Sequence, residues 1–104
     1  TLDKYIEDSK IDKINILKID TQGFEASVLK GAINAIKNKR IDFIETEINF
    51  GFQYEIKTSF KEIEDQLYDN YILLSIDEAG DVVSNSDYQT NVIYINKDLI
   101  GNFK

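Results

Sequence analysis

The chain has 104 residues, 42% hydrophobic and 30% charged, with 19 acids against 12 bases for a formal net charge of −7. That length fits one small domain, residues 1–104, with a single core, and that balance is the one of a globular sequence rather than a disordered or membrane-embedded one. Cysteine and histidine are both absent, which removes disulfides, thiolate zinc sites, cysteine nucleophiles and every Ser-His or Cys-His catalytic pair.

Leu2, Tyr5 and Ile6 fall at helical spacing behind the capping candidates Thr1 and Asp3, which predicts a short amphipathic helix over 1–10. Ile14 to Ile19 is a β-branched run ending at Asp20, followed by Thr21-Gln22-Gly23; it reads as a strand leaving its sheet into a tight turn. From Phe24 to about Asn38 the apolar positions Val28, Leu29, Ala32, Ile33 and Ile36 predict one packed helix, with Gly31 as a kink or a close approach to the sheet. The basic run Lys37-Asn38-Lys39-Arg40 then sits favourably at that helix's C-terminus.

Ile41 to Ile48 is the second strand, with Ile41, Phe43, Glu45 and Glu47 on one face and Asp42, Ile44, Thr46 and Ile48 on the other. Residues 49–59 form a loop whose Phe50, Phe52 and Tyr54 cover the core edge or line a pocket. Phe60 to Asp69 is helical, with Thr58 or Ser59 as its cap and Glu62 completing a capping box. Tyr71 to Ile76 is a strand, residues 77–81 are turn chemistry, Val82-Val83 pairs back briefly, and Asn91 to Asn96 is the last strand, returning antiparallel after a polar loop. Strands alternating with helices predict an α/β fold with a mostly parallel sheet and its last strand reversed.

In such a sheet, ligands collect beyond the carboxyl ends of the parallel strands, which singles out Asp20 to Glu25 and Glu47 to Asn49. Asp20 can accept a hydrogen bond from a hydroxyl or amine, and Gly23 lets a ligand or a helix N-terminus approach closely. The plainer alternative leaves Asp20 capping its turn and Glu25 in the first turn of its helix. Lys18 stands inside an apolar strand expected to be covered on both faces, where a buried ammonium needs a partner, and Glu45 or Glu47 on the neighbouring strand supplies one. The sharper alternative turns Glu47 toward the ligand beside Asp20, able to orient or deprotonate an acceptor hydroxyl. Two carboxylates could also hold a divalent cation, but without His or a dense Asp cluster no metal is expected.

Thr1-Leu2-Asp3, then Leu17-Lys18-Ile19-Asp20 with Gly23 and Glu25, then Val28-Leu29-Lys30-Gly31-Ala32 resemble the hallmark pattern TLD, LKID-x-x-G-x-E, VL-x-GA of FkbM-type methyltransferases. Glu45-Thr46-Glu47 and the two closing strands also resemble that family's later elements. The resemblance implies the C-terminal portion of a Rossmann-like class I methyltransferase fold, its strands four to seven in the order 4-5-7-6 with seven antiparallel. It implies methyl transfer from S-adenosylmethionine to a small-molecule hydroxyl acceptor, a sugar or secondary metabolite. Carried over position by position, Asp20 is the acid near the transferring methyl and Glu47 a weaker candidate beside it. Gly23 and Glu25 complete the motif, with Glu25 in helix N-terminal or cofactor-side hydrogen bonding. The family's Gly-rich loop and its next acidic position have no counterpart here, nor is there a G-x-G-x-x-G cradle, so the segment alone is expected to bind cofactor poorly.

The opening on Thr1 rather than Met suggests processing or a segment of something longer. The alternative to an enzyme segment is a non-catalytic α/β module for binding or assembly, forming a homodimer through an exposed sheet edge. A receiver-like or carbohydrate-binding domain would also use an acidic loop, but a receiver wants further acids after its first strand and a Lys near its end. The acidic excess opposes nucleic acid, and the apolar runs are far shorter than the roughly 20 residues that span a bilayer. With no secretion-signal pattern at the N-terminus, neither nucleic acid nor membrane is an expected partner, and a cytoplasmic location is. The abundance of Ile, Asn, Lys and Asp suggests an AT-rich, bacterial genome.

Overall fold

A computed structural model describes residues 1–21, 24–49, 60–76 and 89–101. In chain order these form α1 (Leu2–Ser9), β1 (Ile14–Ile19), α2 (Glu25–Lys30), α3 (Ile33–Lys37), β2 (Ile41–Asn49), α4 (Phe60–Leu67), β3 (Tyr71–Ile76), β4 (Gln89–Asn96) and α5 (Lys97–Gly101). The aromatic loop 50–59 with its cap candidates, and the Val82-Val83 pairing, lie outside the described residues. Among those residues no helix is long and apolar enough to cross a membrane.

The four strands make one mixed sheet. β1 and β2 run parallel, and β4 runs antiparallel to both β2 and β3. In this chain's own count the row is β1-β2-β4-β3, where the expectation was written 4-5-7-6 in the count of the complete fold. The expectation of a mostly parallel sheet is corrected: the reversed strand lies inside the row, so it turns two joints antiparallel, whereas a reversed strand at an edge would turn one.

One face of the sheet carries the core. Ile19, Ile44, Ile48, Val92 and Tyr94 meet Ile6 of α1, Leu29 of α2, Ile36 of α3 and Ile63 and Leu67 of α4 in a single apolar cluster. The polar tips of its tyrosines are satisfied: Tyr71 donates to the Ile41 carbonyl at 2.7 Å and Tyr94 to the Glu64 carboxylate, as buried hydroxyls require. On the opposite face the register sets Ile16, Phe43, Ile95 and Ile72 in one row across all four strands. Ile16, at the edge of that row, is 66% exposed. The sheet is therefore not covered on both faces by the described residues, and Lys18 is not buried. Its ammonium is mostly exposed and sits 3.4 Å from Glu45, a surface pair worth at most about 1 kcal/mol.

The expected single helix over 24–38 is two. α2 ends at Gly31 and α3 begins after Ala32, and the reason lies at the other end of the chain. Thr1 caps α1 by accepting the Lys4 N–H, but Asp3 reaches across to α3. Its two carboxylate oxygens accept the Asn34 and Ala35 amides at 2.8 and 3.0 Å, while its own N–H donates to the Gly31 carbonyl at 2.9 Å. Those α3 amides would lack partners in a helix that starts at residue 33. A Cβ at Gly31 would meet the Thr1 side chain at 3.3 Å, so the close approach at this glycine is to the start of α1 and not to the sheet. The segments Thr1-Leu2-Asp3 and Val28 to Ala32 are thus two halves of one joint.

α5 was not anticipated. It starts where Asn96 turns its side chain back, accepting the Asp98 amide at 2.9 Å and donating to the Lys39 carbonyl at 3.0 Å. Lys39 continues the basic run past the end of α3, with φ 55, and its ammonium pairs with Asp98 at 3.0 Å.

Candidate active site at the carboxyl rim of the parallel pair

β1 and β2 end at the same rim because they are parallel, with Ile19 level with Thr46. The next residues, Asp20 just beyond the end of β1 and Glu47 within β2, stand at that rim, and strand alternation turns Glu47 away from the helical layer. Glu47 in turn pairs across with Asn91 at the start of β4. The rim thus lines up Asp20, Glu47 and Asn91, with the Lys18–Glu45 pair one row below. Asp20 is exposed and Glu47 half-buried, so the first meets solvent at the rim while the second is set in β2.

The turn after β1 is fastened from behind. Glu25 opens α2 and is 0% exposed; one of its carboxylate oxygens accepts both the Thr21 amide, at 2.8 Å, and the Thr21 hydroxyl, at 2.7 Å. The same hydroxyl accepts the Phe24 amide at 3.2 Å. A carboxylate in the first turn of a helix is favoured by the helix dipole, and two donors answer the cost of burying it. Gly23 lies outside the described residues. Phe24, last residue of the turn, leaves its ring 66% exposed.

The structure thus brings Asp20 and Glu47 together at one rim and puts Glu25 beneath the turn. Sequence reasoning missed Asn91 and Thr21. The signal for Asn91 was the reversed direction of the last strand, which carries its N-terminal end to the rim where β1 and β2 finish. For Thr21 the signal was its spacing of four from Glu25, the reach of a side chain closing a tight turn. No group of three or more acidic side chains able to hold a metal comes together among the described residues. A cleft of about 370 Å³ lies in the helical layer between α1 and α3, lined by residues such as Asp3, Glu7, Asn34 and Arg40. None of the candidate residues borders it, and the Asp3 carboxylate within it is engaged as the α3 cap.

Comparison with known proteins bears on the family. Residues 1–83 match the methyltransferase FkbM domain, a span that includes α1, the Asp20 turn, the α2–α3 joint and β2. The chain belongs to the FkbM methyltransferase family. A hexuronic acid methyltransferase, AglP, from Haloferax volcanii is 37% identical over 49 residues. Those residues are 47% of this chain but 20% of the relative, so the chain corresponds to a small part of that protein. No solved structure matches it with significance. Within the FkbM pattern the pieces at residues 1–3 and 28–32 have a structural task, holding α1 against the α2–α3 joint. The piece from residue 17 to 25 carries the exposed acid.

Proposed function

We propose that this chain contributes the rim facing the transferring methyl in a methyltransferase active site that takes its methyl group from S-adenosylmethionine and delivers it to a hydroxyl of a sugar or secondary metabolite. The observation that carries the reading is that Asp20 and Glu47 each follow the last paired rung, Ile19 with Thr46, at the carboxyl rim of a parallel strand pair, the rim where ligands gather in sheets of this kind. The similarity to a relative named for acting on a hexuronic acid favours a sugar as acceptor.

The rim fits one side of such a cofactor. Carboxylates suit a molecule bearing a sulfonium and an ammonium, while the sequence has no Gly-rich cradle for its remainder. That grip belongs to chain upstream of this segment. When bound, the cofactor supplies a methyl group already activated on sulfur, so the protein's part is alignment and proton removal. Asp20, open at the rim, takes the acceptor's proton as its oxygen attacks. Glu47, set in the strand, orients the acceptor hydroxyl from beside it. Gly23 and the turn it belongs to complete the cofactor side.

The test is calorimetric titration of S-adenosylmethionine into the protein expressed from its whole gene and into the 104-residue chain, followed by turnover of Asp20→Asn. Binding by the former alone, with kcat lowered about 10²- to 10⁴-fold by the substitution as for loss of a general base, is the expected result. A whole-gene protein that binds no S-adenosylmethionine, or Asp20→Asn at wild-type rate, would remove the catalytic reading.

The half-exposed sheet supports a second reading. Among the described residues β1 has a strand on one side only and leaves Ile16 exposed, so an assembly module pairing two copies through β1 is the alternative. Sedimentation distinguishes the two: a dimer lacking cofactor heat favours assembly, a cofactor-binding protein with Ile16 protected from solvent favours the enzyme.

A further inference from the structure

We infer that Thr21 and Glu25 are positioning residues, which act on the reaction by clasping the turn that carries Asp20, and that Glu25 does not itself touch cofactor or acceptor. The inference rests on the role proposed above for Asp20. Its own basis is the bonding of the turn. Glu25 is sealed from solvent at the start of α2, a place from which its carboxylate meets the backbone and hydroxyl of Thr21 through a single oxygen. Thr21 passes the constraint on by accepting the Phe24 amide. One carboxylate therefore fixes the residue directly after Asp20 and, through it, the residue that starts the helix. Asp20 and Phe24, both exposed, stand at the ends of this clasp.

The consequence is chemical. A proton acceptor must stay within hydrogen-bond reach of the oxygen it serves, and displacement by about 1 Å can lower a rate about 10²-fold. Asp20 follows the last residue of β1, which has a strand on one side only among the described residues; the clasp adds a restraint on the residue directly after it. Glu25 then stabilises the reactive geometry through Thr21 rather than by charge on the ligand.

Three variants in the whole-gene protein separate these roles. Thr21→Val keeps the shape of the side chain but removes the hydroxyl that serves both Glu25 and Phe24; it should lower kcat about 10- to 100-fold with KM for S-adenosylmethionine changed less than about threefold. Thr21→Ser restores the hydroxyl and should recover most of kcat. Glu25→Gln keeps an acceptor oxygen without the charge and should lower kcat less than Thr21→Val does, again with KM unchanged. A wild-type kcat in Thr21→Val, or a Thr21→Ser as damaged as Thr21→Val, would overturn the inference. So would Glu25→Gln with intact kcat and a KM for S-adenosylmethionine raised tenfold or more, the signature of direct cofactor contact. Amide exchange covers the case in which the wild type transfers no methyl and the function proposed above fails. The Thr21 and Phe24 amides should then exchange at least tenfold faster in Thr21→Val while Ile44 and Val92 keep their protection. Unchanged exchange at Thr21 and Phe24 would show that the clasp does not exist.

Discussion

Replacing Asp3 with alanine should destabilise the domain by about 2 kcal/mol, although residue 3 belongs to the first turn of α1 and not to the sheet. The carboxylate accepts two amides of α3, one exposed at Asn34 and one half-buried toward Ala35. Hydrogen bonds to a charged group are worth roughly 1.5–3 kcal/mol each when buried, and loss of an Asp cap ordinarily costs about 0.5–2 kcal/mol; one exposed and one sheltered bond therefore sum to about 2 kcal/mol. Urea denaturation followed by far-UV circular dichroism measures this directly. For a chain of this size the slope is about 1 kcal/mol/M, so the midpoint should fall by roughly 2 M with the slope unchanged. Asp3→Asn, with one oxygen for two amides, should lose most of the same stability. Thr1→Ala, which removes only an exposed cap bond of 3.2 Å, should lose about 0.5 kcal/mol. An Asp3→Ala midpoint within 0.5 M of wild type, or a larger loss in Thr1→Ala, would refute the joint between α1 and α3.

Other consequences concern the tyrosines, a helix end and a surface pair. Burial holds the Tyr71 hydroxyl well above its ordinary value, up to about 12, against about 10 in the unfolded chain; between those values the folded state keeps more protons, so stability should fall as pH rises from 10 toward 12. A pH series of urea midpoints checks this. Tyr71→Phe should flatten only part of the slope, because burial and the Glu64 carboxylate push Tyr94 up as well. Lys10 ends α1 in a left-handed conformation, φ 54, which glycine adopts without a side-chain penalty, so Lys10→Gly should add about 0.5–1 kcal/mol, visible as a melting temperature several degrees higher. Lys18→Ala should change stability by less than about 0.5 kcal/mol, since its pair with Glu45 is largely in solvent; a loss of 2 kcal/mol would mean that the open face of the sheet is covered.

Periodicity located the strands and the helical stretches that form the core, because burial on one side leaves a pattern in the chain: alternation at Ile44, Thr46 and Ile48 and helical spacing at Ile63 and Leu67. It failed where a distant residue decides. The interruption at Gly31 was visible, but its cause was Thr1 and Asp3, thirty residues away in sequence, and nothing local to 24–38 distinguishes a kink from two helices. Lys18 was read as buried because its strand is apolar on both sides, and that pattern describes a sheet covered twice, whereas the described residues cover it once. Sheet mixture was misjudged for a related reason. Alternating helices and strands give parallel pairs, yet in a row of four one reversed strand set between two others leaves a single parallel joint. At the site, Asp20 and Glu47 were legible as rim acids from strand ends alone, while Thr21 was not, since its part comes from a bond made on the far side of the turn.

That the Asp20 turn faces the methyl donor can be read from a map of amide chemical shifts. On addition of S-adenosylmethionine to the whole-gene protein, the amides of Asp20, Thr21, Phe24 and Glu47 should shift, while Lys13, Arg40 and Asp98 at the opposite rim and Asp3 in the α1–α3 cleft stay in place. Shifts confined to that opposite rim or to the cleft, with residues 20 to 24 unmoved, would contradict it.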